Sequence, residues 1–228
     1  MNKIKICTPV IGKTLKEFLK NLDQVQEISE MVELRVDKIK NLGEQDLQLI
    51  RKKTIKEAIF ISRKKEIISK ALGLGFDYVD VELETIEKEP AFAKASHLAL
   101  RASRDKSAGK GKTKIILSFH DFEKTPDIKK LTLIINRMRE CNVEVLKIAT
   151  IVNNNRDIKN LLQILLNKKK DEKMIVVGMG KKGRITRVLG PLLGSFLTFA
   201  STQYGETAPG QIDIMRLKKI YKILNYEL

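Results

Sequence analysis

The sequence predicts an α/β protein, a (β/α)8 TIM barrel, because short apolar runs alternate with amphipathic segments along the chain. Such alternation is typical of parallel strands joined by crossover helices. Eight such units in 228 residues favour a barrel over an open doubly wound sheet. No G-x-G-x-x-G motif follows the first run, which weakens the dinucleotide-binding alternative.

The predicted strands are apolar runs bounded by polar or turn-forming residues. They cover residues 3–10, 31–37, 58–62, 78–83, 114–120, 145–150, 174–179 and 195–201. Between them, apolar residues recur at helical spacing. The clearest predicted helices are residues 14–28, 127–138 and 156–169. Since no Pro/Gly/Ser-rich linker divides the chain, we expect one barrel domain over residues 1–228.

Several features predict a soluble, cytoplasmic protein. No apolar run reaches the length of a membrane span, and the first ten residues lack the apolar core of a signal peptide. Cys7 and Cys141 are far apart and have no CxxC partner, so reduced thiols are expected. The sequence leaves open whether the chain forms a homodimer.

The net charge of +16 raises nucleic acid as a partner. The lysines are dispersed, however, and aromatic residues make up only 5% of the chain, with no Trp. Grooves that bind single strands combine basic and aromatic residues, so we expect no nucleic-acid partner. The charge is instead interpreted as a surface property that favours small anionic substrates. The basic segment at residues 104–112 is interpreted as a solvated turn.

Two titratable residues interrupt consecutive apolar runs, His120 in the fifth predicted strand and Lys147 in the sixth. In a barrel strand, alternate residues point to the interior and to the surrounding helices. This alternation places Lys147 and Ala149 inside on the sixth strand, and Ser118 and His120 inside on the fifth. Catalytic residues of barrel enzymes lie near the carboxyl ends of the strands.

Charged residues on two earlier strands are also predicted to face the interior. They are Glu33, Arg35 and Asp37 on the second strand, and Asp80 and Glu82 on the fourth. For the three carboxylates Asp37, Asp80 and Glu82 a structural role, bound to a neighbouring Arg or backbone amide, is favoured.

Lys147 and His120 are predicted at the ends of adjacent strands, beside the pair of Glu33 and Arg35. This arrangement is typical of a Schiff-base lysine with a proton-transfer partner. His97 lies in a helical pattern and is interpreted as a packing or surface residue. With only two histidines and no metal-ligand spacing, no metal site is expected.

Five ordered motifs resemble the type I 3-dehydroquinate dehydratase family. They are VELRVD, SFHDFEKTP, VLKIAT, TRVLGPLLGS and TAPGQI, beginning at residues 32, 118, 145, 186 and 207. The resemblance implies a (β/α)8 barrel that converts 3-dehydroquinate to 3-dehydroshikimate in the shikimate pathway, without metal or organic cofactor. It further implies that Lys147 forms an imine with the substrate ketone and that His120 acts as general acid and base. Free lysine has a pKa of about 10.4, so burial and nearby cations such as Arg35 must favour its neutral form.

The same resemblance suggests the residues that bind substrate. Glu33 and Arg35 match residues that line the site, and Arg187 matches the arginine that binds the substrate carboxylate. Gln211 matches a glutamine on a loop that closes over the substrate. Thr207 stands where the family usually has Ser, which keeps the hydroxyl.

The third βα unit departs from the family pattern. The family usually has an Arg, then an acid and a Gly-Gly pair, then a long loop and a helix. Here Arg63 is followed by a stretch that lacks Gly-Gly, and we expect a shortened unit in which Arg63 still binds substrate. Glu66 is a candidate to replace the family acid that pairs with His120, against the alternative that it begins the third helix.

Two other functions stay open at the level of sequence. One is another Schiff-base enzyme on the same barrel, such as an aldolase, although the HDF and APGQ motifs argue against it. The other is a catalytically weakened barrel that acts as a basic binding protein.

Overall fold

The computed structural model describes residues 3–88 and 113–227. The strands are β1 Ile6–Val10, β2 Met31–Arg35, β3 Glu57–Ile61, β4 Tyr78–Glu82, β5 Lys114–Asp121, β6 Val145–Ile151, β7 Lys173–Met179, β8 Thr198–Ser201 and β9 Ile212–Asp213. The helices are α1 Leu15–Ile28, α2 Glu44–Lys53, α3 Lys65–Leu74, α4 Leu83–Lys88, α5 Ile128–Glu140, α6 Asn155–Leu166, α7 Arg184–Leu192 and α8 Ile214–Ile223. The eight predicted strands are therefore confirmed as elements, with small differences at their ends.

The strands follow one another in the sheet in the order β7-β6-β5-β4-β3-β2-β1-β8-β9. β1 pairs in parallel with β8, with Ile6 opposite Thr198. The backbone N of Phe196, just before β8, donates to the Met174 carbonyl on β7 at 2.8 Å. Parallel strands in chain order, separated by helices and with the last strand beside the first, are the topology of a (β/α)8 barrel. The predicted fold class is confirmed.

The chain divides into two compact units, one formed by Met1–Thr8 with Leu117–Leu228 and the other by Pro9–Ile116. The prediction of one domain over residues 1–228 is not tested by this division and stays a prediction.

In the unit of residues 9–116, β2 and β3 pair in parallel over five residues, from Met31 opposite Glu57 to Arg35 opposite Ile61. Phe60 of β3 packs on Phe76, with ring centroids 4.7 Å apart. Thr14 caps α1, because its hydroxyl accepts from the Glu17 backbone N at 3.2 Å. The pairing of β2 with β3 places Arg35 beside Ile61 at the carboxyl ends of these strands.

In the other unit, β6 and β7 pair in parallel along their whole length, with Lys147 opposite Ile175. Asp127, Asn154 and Asp213 cap α5, α6 and α8 through their side-chain oxygens. An N-cap of this kind satisfies backbone N–H groups that have no partner inside the helix. The predicted helices at residues 127–138 and 156–169 are confirmed as α5 and α6.

The differences from the predicted strands have local causes. Residues 36 and 37, predicted to continue β2, belong to the 3-10 turn Val36–Lys38. Residues 195–197, predicted to begin β8, precede it, and Ser195 donates from its hydroxyl to the Leu197 carbonyl at 2.9 Å. Short polar side chains that bind nearby backbone compete with strand pairing.

The third βα unit retains its helix. α3 spans ten residues and begins only four positions after β3 ends at Ile61. It ends at Gly75, whose positive φ of 74° is typical of a helix C-terminus. The connection between β3 and α3 is therefore short, and the unit keeps a ten-residue helix. The shortened unit as a whole stays a prediction.

Two predictions lie outside the described residues, namely those for His97 and for the basic segment at residues 104–112. Within the described part of the chain, no helix has the length and apolar character needed to cross a membrane.

The junction of β7 and α7 depends on close contact between glycines. A Cβ added at Gly183 would lie 2.4 Å from the Gly178 carbonyl carbon and oxygen. We therefore expect Gly183→Ala to lower the free energy of unfolding by about 1–3 kcal/mol, as overpacking does. Chemical denaturation measures this difference.

Gly73, inside α3, provides the matched control, because a Cβ there would meet nothing within 4 Å. Gly73→Ala should be neutral or stabilising by up to about 1 kcal/mol, since alanine favours helix interiors. Equal effects of the two substitutions would contradict the proposed close contact.

Candidate active site

Lys147 is the third residue of β6, and its side chain is only 6% exposed. Its Nζ lies 5.2 Å from the centre of the Phe199 ring on β8. Because β6 and β8 are not neighbours in the sheet, this contact requires both side chains to point to the same side of it. The contact agrees with the predicted inward orientation of Lys147. Phe199 was not among the predicted site residues.

His120 lies next to the last residue of β5 and is half-buried. Its ring stacks on Phe122, with centroids 5.8 Å apart and planes 8° apart. Phe122 is itself 66% exposed. The Asp121 carboxylate accepts hydrogen bonds from the backbone N of Glu123 and of Lys124, each at 2.9 Å, which turns the chain directly after the strand. This turn places the Phe122 ring against the His120 ring.

Arg187 lies in α7 and is almost completely buried, with 1% of its side chain exposed. Its Nη1 lies 3.5 Å from the Phe199 carbonyl oxygen. The preceding Thr186 holds α7 against β7, because its hydroxyl accepts from the Gly178 backbone N at 2.7 Å and donates to the Gly183 carbonyl at 2.8 Å. Phe199 thus contacts Lys147 through its ring and Arg187 through its backbone.

The segment between β8 and β9 carries the predicted residues Thr207 and Gln211. The backbone N of Thr207 donates to Gln211 Oε1 at 2.7 Å, and Gln211 Nε2 donates to the Thr207 hydroxyl at 3.3 Å. The Gly180 backbone N donates to the Pro209 carbonyl at 2.9 Å. The structure therefore brings Thr207 and Gln211 together and holds their loop against the end of β7.

A second group of charged residues lies in the unit of residues 9–116, around Arg35. The Arg35 guanidinium makes a bidentate ion pair with Asp37, with both N–O distances 2.8 Å. Burial opposes the charge of Arg35, but the hydrogen bonds to Asp37 and the charges of Glu33, Asp37 and Asp80 outweigh it, so the pKa of Arg35 lies above its ordinary value. The predicted structural role of Asp37 is confirmed by this ion pair.

The carboxyl group of Asp37 titrates below its usual range. Burial acts to raise its pKa, but the hydrogen bonds and charge of Arg35, together with the charges of Lys38 and Arg63, lower it overall. Arg63 therefore lies close enough to act on Asp37, although its own side chain is exposed. Glu33 and Asp80 are buried, whereas Glu82 is exposed.

Glu66 is the second residue of α3 and is exposed. An acidic residue in the first turn of a helix interacts favourably with the helix dipole. This position matches the alternative in which Glu66 begins the third helix. Its role as a partner of His120 stays a prediction.

In the ranges 3–88 and 113–227, no group of three or more His, Cys, Asp or Glu side chains is placed to hold a metal ion. The unit that contains residues 117–228 offers a buried lysine, a buried arginine and a half-buried imidazole. Such groups suit amine chemistry and the binding of an anionic substrate.

Comparison with known proteins gives a consistent result. Residues 6–227 match the family model described as type I 3-dehydroquinase. The 3-dehydroquinate dehydratase of Coxiella burnetii is 37% identical over 97% of this chain and 94% of its own length. That of Methanocaldococcus jannaschii is 35% identical over 96% of this chain and 99% of its own length.

A solved structure has the same fold. The crystal structure of 3-dehydroquinate dehydratase from Geobacillus kaustophilus aligns with a TM-score of 0.84 at 22% identity, covering 98% of this chain and 91% of that one. The family match over nearly the full length and the two relatives above 30% identity agree with the motifs at Lys147, His120 and Arg187. The chain belongs to the type I 3-dehydroquinase family.

Proposed function

We propose that Lys147 forms the imine through which this enzyme dehydrates 3-dehydroquinate to 3-dehydroshikimate. The observation that carries the proposal is a buried lysine on β6 whose Nζ lies over the Phe199 ring. Desolvation favours the neutral form of an amine, which is the nucleophile. The aromatic face attracts a cation and so stabilises the protonated imine that follows.

The reaction balances without a metal or an organic cofactor. The lysine nitrogen attacks the substrate ketone, and loss of water gives a protonated imine. The imine withdraws electrons from the neighbouring carbon, so a proton leaves that carbon and the electron pair forms an enamine. The enamine then expels the hydroxyl group on the next carbon as water. Hydrolysis of the imine consumes one water, which offsets the water released when the imine formed, and frees the lysine, so one water is lost overall.

His120 acts as the group that removes the carbon-bound proton and then protonates the leaving hydroxyl. Imidazole suits both steps, because its unperturbed pKa of about 6.5 lies near neutral pH. The stacked ring of Phe122 supports this role, since it limits the directions in which the imidazole can turn.

The remaining predicted residues bind the substrate. Arg187 offers a planar guanidinium to the substrate carboxylate, and a bidentate pair of this kind is strong and directional. Arg35, held by Asp37, and the exposed Arg63 supply further positive charge. Glu33 accepts hydrogen bonds from substrate hydroxyls.

Thr207 and Gln211, which hydrogen-bond to each other, close over the bound substrate.

The cellular location of the enzyme is also part of the proposal. We place it in the cytoplasm, where the thiols of Cys7 and Cys141, which form no disulfide, stay reduced. The family match gives no support to the alternatives of an aldolase or a basic binding protein.

The first prediction from the proposed function concerns Lys147. Lys147→Ala should abolish turnover while the fold stays nearly intact, because the electron-withdrawing imine cannot form. Mass spectrometry of the wild-type enzyme after borohydride reduction with 3-dehydroquinate should find the adduct on Lys147.

Lys173 is the matched control, since its Nζ also lies over a phenylalanine ring, that of Phe196 at 5.3 Å, but its side chain is exposed. Lys173→Ala should keep its activity. An adduct on a lysine other than Lys147 would refute the assignment.

The second prediction distinguishes a substrate-binding role of Arg63 from a catalytic role of Glu66. Arg63→Ala should raise KM for 3-dehydroquinate, because a cation that binds substrate is lost. Glu66→Gln should change kcat by less than about threefold, well below the hundredfold or more expected for a general acid or base. Steady-state kinetics of both variants measures these effects. A hundredfold fall in kcat for Glu66→Gln with unchanged KM would make Glu66 the partner of His120.

The third prediction concerns Asp37, whose pKa is lowered in the folded protein. Its carboxylate therefore stabilises the fold above its unfolded pKa of about 3.9, and this contribution is lost as the pH falls through the folded value. Asp37→Asn should lower the free energy of unfolding by about 3 kcal/mol at pH 7, because it leaves Arg35 without its ion-pair partner.

Denaturant titrations from pH 7 to pH 3 measure this contribution. The difference between the wild-type enzyme and Asp37→Asn should shrink below about pH 4, where the carboxyl group of the unfolded chain begins to take up a proton. A difference that does not change with pH would show that Asp37 acts through packing and not through its charge.

A further inference from the structure

The helix that carries Arg187 is interrupted by a proline. Pro191 lies inside α7, four residues after Arg187. In an α-helix each carbonyl accepts from the N–H four residues later, and proline has no N–H. The Arg187 carbonyl therefore cannot receive its helical hydrogen bond.

Two hydroxyl groups from other elements bind this carbonyl oxygen. The Tyr221 hydroxyl on α8 donates to it at 2.7 Å, and the Thr198 hydroxyl on β8 donates to it at 2.9 Å. The Tyr221 oxygen also lies 3.1 Å from the Val188 carbonyl oxygen. Since a hydroxyl has one proton, the shorter contact with Arg187 is the favoured one.

The environment of Tyr221 suits a permanent donor. Its side chain is completely buried, and burial raises the pKa of its hydroxyl above the ordinary value. The hydroxyl is therefore protonated, and able to donate, at neutral pH. It also stays in place, because Tyr221 has no exposed surface through which its ring could move out.

The backbone at Arg187 determines where its guanidinium points. The side chain is buried, so it has little room to correct a displaced backbone, and its Nη1 is already 3.5 Å from the Phe199 carbonyl oxygen. A bidentate contact with a carboxylate tolerates little misalignment. A shift of the backbone at Arg187 would therefore weaken substrate binding.

We propose that Tyr221 is a positioning residue for substrate binding, whose hydroxyl replaces the donor that Pro191 cannot supply and so fixes the direction of Arg187. The proposal rests on the proposed function, in which Arg187 binds the substrate carboxylate. Thr198 contributes the second hydrogen bond to the same oxygen.

The test is Tyr221→Phe in the full-length enzyme, which removes one oxygen and keeps the ring. KM for 3-dehydroquinate should rise about threefold to tenfold, the equivalent of one hydrogen bond, while kcat changes by less than about twofold. This split is expected because an interaction that binds substrate and transition state equally affects KM alone. Thr198→Val, which removes the second donor, should act in the same direction.

Tyr78→Phe provides the control for loss of a buried tyrosine hydroxyl, since Tyr78 is a buried residue of β4. Tyr78→Phe should leave KM unchanged even if the melting temperature falls.

A second readout uses Pro191→Ala, which restores an N–H at the position that faces the Arg187 carbonyl. In that background Tyr221→Phe should raise KM less than it does in the wild-type enzyme, as a double-mutant cycle shows.

Three results would overturn the proposal. One is an unchanged KM in both Tyr221→Phe and Thr198→Val when Arg187→Ala raises KM. Another is an equal effect of Tyr221→Phe with and without Pro191→Ala. The third is a fall in melting temperature for Tyr221→Phe as its only effect. If Arg187→Ala itself leaves KM unchanged, the substrate-binding role of Arg187 fails and the positioning role falls with it.

Discussion

The burial of positive charge is the constraint on which this molecule's chemistry depends. Lys147 and Arg187 are buried, and Arg35 is largely so. A buried charge without compensation costs several kcal/mol, and the chain compensates in different ways. Arg35 receives the carboxylate of Asp37, whereas Lys147 lies over the Phe199 ring. A carboxylate partner and an aromatic ring suit different functions of the basic group.

An ion pair such as that of Arg35 and Asp37 favours the ionised forms of both groups, because the pKa of Arg35 is raised and that of Asp37 is lowered. An aromatic face attracts a cation without exchanging a proton with it. In the proposed reaction the ring of Phe199 would remain in one place while the nitrogen of Lys147 passes from free amine to protonated imine. Such a group needs no rearrangement during the reaction, which is the advantage of a preorganised site.

The sequence predicts most of the fold because hydrophobic periodicity is a local property. The strands around Lys147 and His120 and the helices α5 and α6 all follow from it. The errors lie where tertiary or side-chain contacts override the pattern. Residues 36 and 37 continue an apolar run, yet Asp37 turns back to pair with Arg35 and the strand ends. The two-residue strand β9 carries no periodic signal at all.

The candidate site is predictable where residues form motifs, as at Lys147, His120 and Arg187. Phe199 and Phe122 were missed because an apolar residue has the same pattern whether it packs in a core or against a candidate catalytic group. The positions of Phe199 and Phe122 in the candidate site depend on contacts with residues that are distant in sequence or lie across a turn. Local sequence contains no information of that kind.

Tyr221 was missed for the same reason, since it occupies the buried face of an ordinary amphipathic helix. Its signal lies elsewhere, in the spacing of Arg187 and Pro191, because a proline four residues after an arginine removes a hydrogen bond that some other donor must replace. The replacement donors are side-chain hydroxyls, so they can be changed by substitution without altering the backbone. If Arg187 and Lys147 have the proposed roles, substitutions on β8 and α8 would change substrate affinity at Arg187 and leave the chemistry at Lys147 as it is.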